Sequence, residues 1–90
     1  MVVFSKTHKQ ELWAKFIQPG RCRAALHEAL DRWVGEHKSE RDGLLRLSEK
    51  VERDHGIRVS YHSLRKWLHG SVDDVRLTTA VAVMRTILEG

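Results

Sequence analysis

Six histidines, one cysteine and 16 lysines and arginines are the residues of this 90-residue chain best suited to chemistry, and their spacing limits which chemistry is open to them. Imidazole is a frequent zinc ligand. His55, His62 and His69, however, recur seven apart over several helical turns, with no second cysteine and no H-x-x-x-H pair beside an acid. No metal site is expected. Cys22 falls in an apolar helical stripe, where a thiol is ordinarily packing rather than a nucleophile. Ser60 and Ser63 flank His62, the residue types of a nucleophile and its base, but serine at the start of a helix caps far more often than it catalyses. Glycine-rich phosphate loops are absent. The expectation is a protein with no catalytic residues and no cofactor.

What remains is concentrated basicity. The stretch HGIRVSYHSLRKWLHG, residues 55–70, holds Arg58, Arg65 and Lys66 with no acid, whereas residues 28–54 hold six bases and eight acids. At about 100° per residue with Leu64 as zero, Leu68, Tyr61 and Trp67 fall within about 60° of it, while His69, His62 and Lys66 lie about 140° to 200° away. One side packs, and the other offers donors suited to phosphate oxygens and base edges, flanked by Ser63 and Arg65. A solvated face in a basic protein has a similar composition, but here the charge is gathered rather than spread. The net charge of +4 and pI near 9.6 agree with a polyanionic partner. A second cluster, Lys6, Lys9, Lys15, Arg21 and Arg23 against Glu11 alone, extends that footprint if it folds to the same side.

Five helices are expected to position these residues. Ser5 can cap the first, in which Leu12, Trp13, Phe16 and Ile17 share a side before Pro19 and Gly20 end it. A second starts at Arg21, with Cys22, Leu26, Ala29, Leu30, Trp33 and Val34 as its stripe. Ser39 with Asp42 resembles a capping box for a third, whose inward residues are Leu44, Leu45, Leu47 and Val51 and which Gly56 ends through positive φ. Ser60 caps the fourth on the amide of His62 or Ser63, and Gly70 closes it. The fifth begins near Asp73 or Asp74, its β-branched content requiring support from packing. Only GIRVSY alternates, so an all-α compact domain follows, with residues 1–38 as a bracing helix pair, 39–70 as the functional unit and 71–90 as the closing helix.

The segment LSEKVERDHGIRVSYHSLRKWLHG, residues 47–70, resembles a helix-turn-helix: a support helix, a glycine turn, a serine-started recognition helix, an aromatic-leucine pair and a closing glycine. HGIRVSYHSLRKWL is similar to the helix-turn-helix of insertion-sequence transposases, and SYHSLRKWLHG to the recognition helix of phage repressors of the lambda and Cro type. It departs from the repressors in that ERDHGIR separates Val51 from Val59, which lengthens the support helix or the turn. The resemblance implies base contacts by Tyr61, His62, Arg65 and Lys66, with Ser60 and Ser63 holding a phosphate at the helix start. Arg58 and Arg76 would reach the backbone on either side. Histidine charged near pH 6 would add phosphate contacts from His62 and His69. Trp67 and Leu68 belong to the core.

The implied function is sequence-selective binding of double-stranded DNA by a small bacterial or phage-type transcriptional regulator, such as a repressor. A different class, a helical adaptor or inhibitor that binds another protein, would use the same surface together with exposed Tyr61, Trp67 and Met84. Single-stranded RNA is less suited, since its readers usually present aromatics on a sheet. Val75, Leu77, Ala80, Val81, Val83, Met84, Ile87 and Leu88 cover more than one side of the last helix. Either it is central to the monomer, or it forms a homodimer that sets two recognition helices about 34 Å apart. No apolar run approaches the roughly 20 residues of a membrane span, and MVVFSKTHK lacks the pattern of a signal peptide, so a cytoplasmic protein is expected.

Overall fold

Ser39 opens its helix as its spacing predicts: the backbone there is extended and Oγ accepts the Asp42 amide at 3.1 Å. In the computed structural model, which describes residues 6–70 and 76–89, the helices are α1 (Lys6–Phe16), α2 (Cys22–Gly35), α3 (Glu40–His55), α4 (Tyr61–His69) and α5 (Leu77–Glu89). No strand occurs among the described residues. The expected cap Ser5 and the expected start of the last helix at Asp73 or Asp74 lie outside them. Within them α5 begins at Leu77, the Ala80 amide bonding the Arg76 carbonyl.

The five helices pack into a compact body of 28 × 28 × 25 Å. Its Cα radius of gyration, 11.8 Å, is close to the roughly 12 Å expected for a compact chain of this length. The core joins Leu26 and Leu30 of α2, Leu44, Leu47 and Val51 of α3, Leu64 of α4 and Val83, Met84 and Ile87 of α5, all without solvent exposure. α1 packs chiefly on α2 through Leu12 and Phe16. α5 lies against α2 and α3 and buries Ala80, Ala82, Val83, Met84, Ile87 and Leu88 along with Thr86, whose hydroxyl donates to the Ala82 carbonyl at 2.8 Å, while Leu77 is exposed and Val81 half-buried. That burial offsets the poor helix propensity of its β-branched residues.

Two glycines have conformational or steric work. Gly43 lies where α3 crosses the end of α2: an added Cβ would sit 3.3 Å from His37 and 3.4 Å from the Val34 backbone. Across the same crossing the Trp33 indole donates to the Gly43 carbonyl at 2.8 Å. Gly56 ends α3 with φ 67°, a left-handed conformation that a side chain disfavours, and its amide caps the Glu52 carbonyl.

Several expectations are corrected. Leu45 is 40% exposed, pointing away from the core that Leu44 and Leu47 enter, and Ile17 is 65% exposed just past the end of α1. Both lie at the margin of an apolar stripe, where helical spacing alone does not separate inside from edge. Trp67 and Met84, named above as contacts for a protein partner, are buried, because Trp67 shares the inward side of α4 with Leu64 and Leu68, and Met84 sits at the centre of α5.

Candidate nucleic-acid interface

The cap at the start of α4 determines how the helix is offered. Ser60 is extended (φ −76°, ψ 155°), its Oγ accepts the Ser63 amide at 3.1 Å, and the two serine hydroxyls lie 3.0 Å apart. The Leu64 amide bonds the Ser60 carbonyl at 3.1 Å, so the Tyr61 and His62 amides remain as the donors of that end. Leu64, Trp67 and Leu68 are buried, while His62, Arg65, Lys66 and His69 are exposed and Tyr61 and Ser63 are partly covered. The Tyr61 ring meets the His62 ring edge-on, 5.5 Å between centroids.

Three contacts from neighbouring helices fix α4 in place. Ser48 of α3 donates to the Val59 carbonyl at 2.5 Å, just ahead of the cap. His27 of α2 donates through Nε2 to the Leu68 carbonyl at 2.8 Å, at the far end. Glu40, first residue of α3, pairs with the His69 imidazole and stands 3.8 Å from the Arg65 guanidinium. The longer path between support and recognition helices is shared between both elements: α3 continues to His55, and residues 56–60 form the connection.

The expected phosphate contacts gather at two places. Arg58, Ser60, Ser63 and Arg76 line one surface cleft of about 450 Å³ at the start of α4, together with Trp67 and Thr79, the latter not anticipated from sequence. His69 is separate, at the opposite end of α4. Arg58 donates to Glu52 at 2.9 Å, and this hydrogen bond, followed by the charge of Glu52, pushes the already high pKa of the guanidinium higher still. Among the described residues Lys66 and Arg76 have no acidic partner.

Two carboxylates therefore stand beside a stretch that carries none in its own sequence. Glu52 and Glu40 come from α3, and no local pattern identifies Glu40, which is 29 residues from His69. Within the second basic cluster Lys15 is 3.8 Å from Glu28. Cys22 is partly buried, and burial pushes its thiol pKa up, with Arg23 acting in the opposite direction, so the protonated form is favoured. Among the described residues no group of three or more His, Cys, Asp or Glu could hold a metal ion, and no helix is long and apolar enough to cross a membrane. Comparison of the chain with protein-family models, with characterised proteins and with solved structures finds no match.

Proposed function

We propose that this protein binds double-stranded DNA as a small transcriptional regulator of bacterial or phage type, with α3 and α4 serving as the helix-turn-helix. In this mode the outward side of α4 enters the major groove and Tyr61, His62, Arg65 and Lys66 meet base edges. Arg58, Ser60, Ser63 and Arg76 take phosphate at the start of the helix, and His69 takes phosphate at its end. The observation that carries the reading is the division of α4 itself: Leu64, Trp67 and Leu68 are buried while His62, Arg65 and Lys66 project into solvent. Clustering of Arg58, Ser60, Ser63 and Arg76 in one cleft supports it.

Selection from random duplexes tests the proposal directly. An enriched motif is expected, with binding that weakens steeply as salt is raised, and Lys66→Ala should cost about 1 to 3 kcal/mol if it reads a base. No enrichment, together with salt-insensitive absence of binding to any duplex, refutes it.

A further inference from the structure

Apart from Leu45, the large apolar side chains most exposed among the described residues converge on one place. Ile17 is 65% and Leu77 69% exposed, and both line a groove of about 380 Å³ together with Trp13, Phe16, Pro19 and Val81. Trp13 also lines a second concavity of about 560 Å³, formed with Lys9, Gln10, Arg85, Leu88 and Glu89. The two share Trp13 and together form a seam between α1 and α5, with Ile17 beside Leu77 and Val81 at one end and Lys9 beside Arg85 and Leu88 at the other. At 1.5 Å per residue that seam is about 16 Å long, about three turns of a helix laid into it. Exposed apolar residues arranged contiguously mark contact surfaces more often than isolated ones do.

The charge around the groove identifies its occupant. Of the residues lining the two concavities Lys9, Arg85 and Glu89 are charged, and Arg21 adjoins the groove between Gly20 and Cys22, so bases outnumber acids three to one around it. Glu89 lines the far end of the second concavity, about 18 Å along the axis from Leu77. A second copy docking through the same surface in a two-fold contact would set this basic rim against itself. We infer that the groove between α1 and α5 binds an acidic amphipathic helix of a partner protein, its leucine-like residues at i, i+3/i+4 and i+7 seated on Ile17, Trp13 and Leu77 and its carboxylates facing Arg21 and Arg85. This goes beyond DNA binding and is independent of it, because the groove uses none of the α4 residues.

The test is a display selection of random 16-residue peptides against the full chain, followed by fluorescence anisotropy with the strongest selected peptide. Enrichment of peptides with apolar residues at helical spacing and an excess of Asp and Glu is expected. Leu77→Ser and Ile17→Ser, both at exposed positions, should each weaken that peptide at least tenfold with unchanged circular dichroism and unchanged DNA affinity. Arg85→Glu should weaken it, and exchanging the peptide's acids for lysine should restore binding to that variant. The inference is overturned if no peptide is enriched, if the enriched peptides are basic or insensitive to Leu77→Ser, or if they bind only after residues 1–5 are deleted. It is equally overturned if the patch instead drives dimerisation in sedimentation or binding to vesicles of anionic phospholipid.

Discussion

Replacing Glu40 by glutamine separates stability from DNA affinity, because the two should move in opposite directions. The Glu40 carboxylate is about one-third exposed, pairs with His69 and stands 3.8 Å from the Arg65 guanidinium at the start of α3. At that distance a fully solvated pair is worth about 1 kcal/mol, less once salt screens it. A negative charge in the first helical turn adds about 0.3 to 1 kcal/mol. Glu40→Gln should therefore cost about 0.5 to 1.5 kcal/mol and lower the melting temperature by about 2 to 12 °C. For DNA the effect reverses: a carboxylate leaves the proposed interface and Arg65 is released to a phosphate or base. One further phosphate contact steepens the slope of log affinity against log salt by about 0.9, so the gain at about 50 mM salt should exceed that at about 200 mM roughly threefold. Anisotropy of a labelled duplex across that range, beside a thermal melt, reads both. If the melt falls as expected while DNA affinity stays constant or drops, the outward side of α4 is not the DNA-binding surface.

Gly56→Ala should cost about 1 kcal/mol in urea unfolding without altering the slope, because φ is 67° and an added Cβ would meet nothing within 4 Å, leaving conformational strain as the sole cost. Leu64→Ala, at a position with no exposure, should lose about 2 to 5 kcal/mol of stability. Lys66→Ala on the opposite side of the same helix should stay within about 0.5 kcal/mol in the same assay.

Local chemistry accounts for what the sequence made legible. Ser39 and Ser60 cap through amides three residues ahead, Gly56 adopts the left-handed conformation a helix end requires, and the division of α4 follows from helical geometry within nine residues. What was not legible depends on separate segments of the chain brought together by tertiary packing. The His27 bond to the Leu68 carbonyl spans 41 residues and the Ser48 bond to the Val59 carbonyl spans 11, and neither side chain sits in a pattern that names its acceptor. Ile17 and Leu45 satisfy the same apolar spacing as their buried neighbours and still lie outside. Which margin of a stripe is covered depends on the crossing of neighbouring helices, and periodicity does not contain that information.

The long-range acids change how the basic stretch should work. In sequence, residues 55–70 are purely cationic, and such a surface would hold any duplex by its phosphates. In space, Glu52 engages Arg58 and Glu40 stands by Arg65 and His69, leaving Lys66 and Arg76 as the cations of this region without an acidic partner among the described residues. Non-specific affinity grows with the number of phosphates neutralised, so two carboxylates inside the proposed footprint reduce it and set repulsion against a duplex that is merely close. In the proposed binding mode a cognate site would offset this cost through base contacts from Tyr61, His62, Arg65 and Lys66, whereas a random site would not. The pairs would then serve discrimination rather than strength: Glu52→Gln and Glu40→Gln together should raise affinity for random duplexes more than for the selected motif, narrowing the ratio between them.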